Sequence, residues 1–414
     1  MNVKINIPYL NGQWTAPSSK SELIRFIAIA MQCNETSTLN NLTWCNDSYA
    51  MLNIAEAWGA DIQLSENRLQ IKGCVEPQSY EFNAGESALC LRLMIPILAR
   101  HKGTYKLQAE GSLLNRPIGE IETIIRQLGA QVETNQNLPP LTITGSIQAG
   151  SLTIENPITS QNLSGLLMAL PLLKDNSRIA VNKLISQPYI KLTLSCLQQA
   201  GVNISVNSTF NEYVIQGNQT FKPLTTTIEG DWSAASLFFV AAAIHGHLRL
   251  KNLNPQSLQA DKAILTFISS KYSHCYHCKT QPIQAFEADI THCPDLFPAL
   301  MVLALNAHDS CKIIGINRLL YKESNRIDAF IEEFSKFGGK YSIQGDILHI
   351  RPPEIIESAT INAHNDHRIA MAAAMATVGS DAHAIIVGAE CVNKSYPSFW
   401  EDLQCLGANL STDY

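Results

Sequence analysis

A small or polar cluster followed by an apolar helix returns six times in this chain, at residues 19, 85, 159, 231, 293 and 366. The segments are SKSELIRFIAIA, GESALCLRLMIPILA, TSQNLSGLLMALPLL, DWSAASLFFVAAAI, CPDLFPALMVLALNA and DHRIAMAAAMATVG. Their period is roughly seventy residues, too long for a continuous solenoid or propeller, whose repeats lie nearer about 20 to 50. Inside most units the order predicted is an apolar helix, a short strand with a turn, a second amphipathic helix, a closing glycine and then alternating strands. The closing glycines are Gly59, Gly129, Gly201, Gly338 and Gly407, placed for left-handed caps where the chain reverses. The fourth unit has none and runs on through SSKYSHCYHC. Strands such as DIQLSENRLQIKG and VNISVNSTFNEYVIQG alternate and should be half-buried.

With 414 residues the chain exceeds the size at which one core stops growing, about 250 to 300 residues, so two domains are expected. Grouping the units three and three satisfies both length and period. The polar stretch GNQTFKPLTTTIEGD, residues 217–231, lies between the third and fourth units and reads as an interdomain crossing.

Hydrophobic residues make up 46 % and charged residues 16 %, which places the chain among folded globular proteins. The net charge of −6 leaves no basic field for nucleic acid or an anionic membrane, so an anion must be held by a local cluster. No apolar run reaches the roughly 18 residues a membrane span needs. The start, MNVKINIPYL, alternates instead of joining a charged region to an apolar block, so no leader is expected and the location predicted is cytoplasmic. Eleven cysteines without framework spacing point the same way, to reduced thiols.

Helix N-termini favour anions, because their unpaired N–H groups and dipole are positive. Here they gather cations. The first unit has Lys20, Ser21 and Arg25; the second Arg92 and Arg116; the third Thr159, Ser160, Gln161, Ser186 and Tyr189. The fifth has Asp295, Lys322, Glu323 and Arg326; the sixth His367, Arg368 and Lys394. Any one of these is most simply a cap or half of an ion pair. As a set they are short of carboxylates, and a ligand with several negative charges would complete them. Asp295 and Glu323 are then candidates for proton transfer, tuned by the neighbouring cations.

The motifs SSKSELIR, NRPIGE, TSQ, SQPYI, EGDWSAAS, CPD, KESNR and DHRIAM occur in one order over nearly the whole chain. In that order and spacing the chain resembles the 5-enolpyruvylshikimate-3-phosphate (EPSP) synthase family. The resemblance implies an α/β fold of two similar domains, each of three βαβαββ repeats in an inside-out α/β barrel, with the active site in the interdomain cleft. It implies domains of residues 18–229 and of residues 1–17 with 230–414. The implied reaction moves the enolpyruvyl group of phosphoenolpyruvate to the 5-hydroxyl of shikimate 3-phosphate by addition and elimination, without metal or organic cofactor, in a monomeric enzyme.

Carried over by motif, Ser21, Arg25, Thr159, Ser160, Ser186, Tyr189, Asp295 and Lys322 would hold shikimate 3-phosphate. Arg92, Arg116, Arg326, Arg368 and Lys394 would grip phosphoenolpyruvate, with Lys20 and Gln161 reaching both. Asp295 would take the 5-hydroxyl proton; Glu323, with Lys20, would handle the proton at the methylene carbon.

Departures from the family pattern are local. Counting back from Arg92 puts Glu86, Ser87, Ala88 and Leu89 where many members have Asn-Ala-Gly-Thr, although NAG at 83–85 offers another register. Asn325 stands for a common Asp, and Arg318 for a residue that is often neutral. The sister enzyme acting on UDP-N-acetylglucosamine usually carries a reactive Cys before its Arg-Pro motif; AEGSLLNRPIG has none. A catalytically silent phospholigand-binding member is the remaining alternative, against which both Asp295 and Glu323 stand. In HCYHC, residues 274–278, Cys275 and Cys278 have zinc-ligand spacing, but no second pair exists and the segment suits a strand.

Overall fold

The computed structural model describes residues 1–413. The chain divides into two compact units, Ser18–Ile228 and Met1–Pro17 with Glu229–Tyr414. Six four-stranded sheets run through it, one per repeat. The second repeat gives the pattern. Strand Glu81–Asn83 leads to helix Ala88–Ala99, parallel strand Gly103–Gln108, helix Ile121–Gln127 and the hairpin Gln131–Asn135 and Leu138–Gly145. The last of these strands inserts antiparallel beside Gly103–Gln108, so the third strand becomes the edge.

Three sheets borrow a strand. Thr225–Thr227 pairs in parallel with Ser37–Asn40 and completes the first repeat. Residues 225–227 are therefore strand, and the crossing expected over 217–231 is narrower than its composition suggested. Leu10–Thr15 pairs in parallel with Gly246–Lys251 to complete the fourth repeat. Asn2–Asn6 lies between Ala384–Val387 and Asn409–Asp413, antiparallel to both, and completes the sixth. The first and fourth repeats lack their own preceding strand, whereas the sixth has one in Ala359–Asn362 and lacks the inner strand of its hairpin; in each case the borrowed strand pairs backbone N–H and C=O groups that would otherwise be left unpaired.

The five predicted glycine caps all have positive φ, from 80° at Gly201 to 108° at Gly407. A side chain in that region meets the backbone, which is why glycine stands there. The fourth unit, which lacks the glycine, has the short 3-10 helix Ala260–Thr266 in place of a second α-helix. The alternation read from sequence holds for inner hairpin strands such as Arg68–Lys72, where Leu69 and Ile71 are buried. It fails on edge strands such as Asp61–Ser65, which are largely exposed because only one side has a partner.

The first helix of each repeat is buried on every side. In Phe297–Leu305 all nine residues are buried, and fully burying a Leu, Ile or Phe side chain is worth about 1.5–3 kcal/mol. In unit Ser18–Ile228, helices Ala88–Ala99 and Ser160–Ala169 pack closely; a Cβ at Gly165 would meet the Pro96 side chain at 2.6 Å. The second helices are amphipathic, as in Gln187–Gln199, which buries Ile190, Thr193, Cys196 and Leu197. Candidate residues lie at or just before the starts of several of these helices, as Lys20, Ser160 and Arg368 do, while Arg25 and Arg92 lie a turn further in. Among the described residues no helix is long and apolar enough to cross a membrane.

Candidate active site

Unit Ser18–Ile228 holds one group of candidates. Ser19 caps helix Lys20–Ala30 by accepting from the Glu22 N–H, which fixes the turn bearing Lys20 and Ser21. Lys20 Nζ lies 2.8 Å from Asp47 Oδ2, in the first turn of helix Asn46–Trp58. One turn further on, Arg25 is almost wholly buried, donating through Nε to Thr193 Oγ1 at 2.9 Å and through a terminal nitrogen to the Ser21 carbonyl at 2.7 Å. Thr193 Oγ1 in turn lies within hydrogen-bond distance of Ser164 Oγ, 2.9 Å, and of the Tyr189 carbonyl, 3.0 Å. Burial pulls the Arg25 guanidinium below its usual pKa, although Cys196, Tyr189 and Glu22 act the other way.

Arg92 projects from helix Ala88–Ala99 and donates to Gln161 Oε1 at 2.8 Å and to the Pro117 carbonyl at 2.7 Å. The Pro117 contact ties it to the NRPIGE loop, where Arg116 is buried. Thr159 caps helix Ser160–Ala169 by accepting from the Gln161 N–H at 3.2 Å, and Ser160 is buried behind it. Ser186 holds φ +53°, a left-handed conformation costly for a side chain with a Cβ, at the mouth of helix Gln187–Gln199. Its carbonyl accepts from the Tyr189 N–H at 3.1 Å.

The other unit holds the denser group. Asp295 sits in the turn Pro294–Leu296 that opens helix Phe297–Leu305. One carboxylate oxygen is 3.1 Å from Lys322 Nζ and 3.5 Å from Arg326; the other is 3.4 Å from Arg368, which also donates to the Asp295 carbonyl at 2.9 Å. Burial acts to raise this carboxyl, but Arg368, Lys322 and Arg326 outweigh it and hold the group well below the ordinary carboxylate range. Lys322 is drawn below its usual value by burial and by Arg326, against the pull of Asp295.

Arg326, fully buried, makes a fork to Asp366: Nε to one oxygen at 2.9 Å and a terminal nitrogen to the other at 3.1 Å. That terminal nitrogen also meets Glu323 at 2.5 Å. Burial would lower the Arg326 pKa, yet Asp366 and Glu323 raise it. Asp366 also caps helix His367–Met375, accepting from the Arg368 N–H at 3.0 Å. Lys394 is buried at the end of the turn Ala389–Lys394, which packs on that helix.

Asp295, Lys322, Glu323, Arg326 and Arg368 thus form one ion-pair network, and Arg92 joins Gln161. The set is not short of counter-charge in the way the sequence suggested. Asp47 answers Lys20, and Asp366 answers Arg326; neither was among the sequence candidates. Both sit at helix starts, Asp47 in CNDS and Asp366 in NDHR, so an N-terminal Asp beside a candidate cation was the available signal. Nothing in the sequence singled out Thr193, which becomes a partner of Arg25 only through helix packing.

Arg318 donates to the Thr291 carbonyl. Asn325, at the place of the common Asp, caps helix Arg326–Ser335 by accepting from the Asp328 N–H, which an Asp would also do. Ala88 is the first residue of its helix and is buried; Leu89 follows it into the core, and Glu86 accepts from Ser112 at 3.0 Å. All of HCYHC but His274 lies in strand Cys275–Lys279, where three-residue spacing sends Cys275 and Cys278 to opposite faces.

The model of the EPSP synthase (3-phosphoshikimate 1-carboxyvinyltransferase) family matches residues 5–403. A 3-phosphoshikimate 1-carboxyvinyltransferase of Clostridium kluyveri is 32 % identical over 99 % of this chain and 98 % of its own. One from Methanocorpusculum labreanum is 29 % identical over 99 % of each. Among solved structures, EPSP synthase of Acinetobacter baumannii superimposes over the full length of both chains with TM-score 0.82 at 22 % identity, which bears on fold alone. The enolpyruvyl transferase NikO of Streptomyces tendae shares the fold with TM-score 0.79 at 14 % identity.

Proposed function

We infer that this chain, which belongs to the EPSP synthase family, transfers the enolpyruvyl group of phosphoenolpyruvate to the 5-hydroxyl of shikimate 3-phosphate, releasing inorganic phosphate. The observation that carries the reading is the Asp295 carboxylate held among Lys322, Arg326 and Arg368 with Glu323 on the same arginine. Such a group offers a base that is ionised at neutral pH, surrounded by cations suited to phosphate and carboxylate. Phosphate release from phosphoenolpyruvate that depends on shikimate 3-phosphate tests it.

In the addition step Asp295 takes the 5-hydroxyl proton as that oxygen bonds to C2 of phosphoenolpyruvate, and C3 gains a proton through Glu323, assisted by Lys20. Elimination then returns a proton from C3 to Glu323, restores the C2–C3 double bond as the bond from C2 to the phosphate oxygen breaks, and frees phosphate, with which the proton held by Asp295 departs. Arg92, Arg116, Arg326, Arg368 and Lys394 hold the phosphate and carboxylate of phosphoenolpyruvate, with Lys20 and Gln161. Ser21, Arg25, Thr159, Ser160, Ser186, Tyr189 and Lys322 hold shikimate 3-phosphate. Fixed charges of this kind stabilise developing charge without reorganising.

Thr193→Val keeps the shape of the side chain but removes the acceptor for Arg25. The KM for shikimate 3-phosphate then rises about five- to tenfold with kcat within about twofold, since the loss falls on binding and not on the chemical step. Steady-state kinetics with the acceptor varied check this; an unchanged KM contradicts it.

The methyl of Ala88 narrows the space against phosphoenolpyruvate, and glyphosate, slightly longer than that substrate, is excluded more than the substrate is. Inhibition therefore requires glyphosate well above the submicromolar range in a titration at fixed phosphoenolpyruvate. Submicromolar inhibition competitive with phosphoenolpyruvate would contradict the role of Ala88.

A cytoplasmic, monomeric enzyme is part of the same reading. Eleven cysteines scattered along the chain without framework spacing support a reducing compartment.

A further inference from the structure

Asp261 is a buried carboxyl that none of the roles above uses. It lies in the turn Ala260–Thr266, which packs against both helix Trp232–His245 and the Asp295 turn. One oxygen accepts a hydrogen bond from the Ser233 hydroxyl, in the first turn of that helix. The other, Oδ1, is buried and meets no hydrogen-bond donor among the described residues. Burying such an oxygen is costly unless something nearby benefits from its charge or its proton.

The charged groups that face it come from every neighbouring element. Asp295 is on the adjoining turn, Arg368 on helix His367–Met375, and Asp231 caps helix Trp232–His245 through the Ala234 N–H. Lys262, next in its own turn, points away to the Pro255 carbonyl. Arg368 pairs with Asp295 and not with Asp261, but its charge reaches Asp261 and favours the anion, while the charge of Asp295 opposes it.

We propose that Asp261 is a positioning residue for the reaction, a second carboxyl behind Asp295 whose charge sets the basicity of Asp295 and the hold of Arg368 on phosphoenolpyruvate. This rests on Asp295 being the base. Burial first, then the charge of Asp295, push Asp261 up to about 7, against Arg368 and the Ser233 hydroxyl. Asp261 thus ionises close to neutrality while Asp295 is already an anion. Below that pH Asp261 carries its own proton and adds no charge beside Arg368, whose pairing with Asp295 and hold on substrate are then undisturbed. Above it, the new negative charge favours protonation of Asp295, which makes it a stronger base, and draws on Arg368, which weakens the grip on phosphoenolpyruvate. No atom passes from Asp261 to substrate; the 5-hydroxyl proton still goes to Asp295.

The consequence is a split that a merely structural residue does not produce. In the native enzyme, kcat and the KM for phosphoenolpyruvate both rise as pH passes through about 7. In Asp261→Asn, which cannot ionise, both inflections vanish, kcat above that pH falls about three- to tenfold and KM stays at its low value. In Ser233→Ala the inflections move to higher pH, because the donor that favoured the Asp261 anion is gone; this variant serves where the Asn variant does not fold. Profiles of kcat and KM across the neutral range, on the full chain, with Asp295→Asn as control, decide it. An inactive Asp295→Asn beside native-like profiles in Asp261→Asn, or in Ser233→Ala where that variant stands in, overturns the proposal alone. Near-normal turnover in Asp295→Asn overturns the base assignment and the proposal with it.

Discussion

Asp295→Asn lowers kcat at least about a hundredfold while the protein stays folded. The amide matches the carboxylate in size but cannot accept the 5-hydroxyl proton. Both arginine neighbours retain other partners: Arg326 keeps Asp366 and Glu323, and Arg368 keeps its bond to the residue-295 carbonyl, which comes from the main chain; Lys322, bonded to Asp295 alone, can donate to the amide oxygen that replaces the carboxylate. The network thus loses one charge and keeps its shape. Because the folded-state pKa of Asp295 is depressed by Arg368, Lys322 and Arg326, its carboxylate stabilises the fold above the ordinary carboxylate range. That contribution disappears as pH falls through the depressed value. The Asn variant lacks this dependence and unfolds at a modestly lower temperature near neutrality. Turnover measured beside thermal unfolding separates the two effects, and near-normal turnover would sink the assignment of Asp295.

Glu323→Gln gives a loss of similar size, at least about a hundredfold in kcat, for a different reason. Glu323 lies 2.5 Å from a buried arginine that Asp366 already holds in a fork, so it is not needed to keep Arg326 in place. What glutamine removes is the capacity to exchange a proton at the methylene carbon. The discriminating measurement is incorporation of solvent deuterium at that carbon, which falls in step with kcat in Glu323→Gln. Native exchange with native turnover would contradict the role.

The fold was largely legible from one period and five glycines. Apolar helices buried on all sides need no amphipathic signal, and the αL caps at Gly59, Gly129, Gly201, Gly338 and Gly407 follow from steric exclusion of other residues. The three borrowed strands were not legible. Residues 225–227, all threonine, are as suited to a polar linker as to an edge strand, and their pairing with Ser37–Asn40 joins segments far apart in sequence. The cations were legible because charge beside apolar residues is rare. Their partners were less so: Asp47 and Asp366 look like ordinary helix caps, Thr193 like an ordinary core residue, and Asp261 like an exposed turn residue until three elements close over it.

The central claim is the acceptor and the group transferred, and phosphate release tests both at once. With phosphoenolpyruvate and shikimate 3-phosphate together, the protein is expected to release phosphate stoichiometric with enolpyruvyl product, and to release none with either substrate alone or with UDP-N-acetylglucosamine as acceptor. Release with UDP-N-acetylglucosamine, or no release with shikimate 3-phosphate, would contradict it.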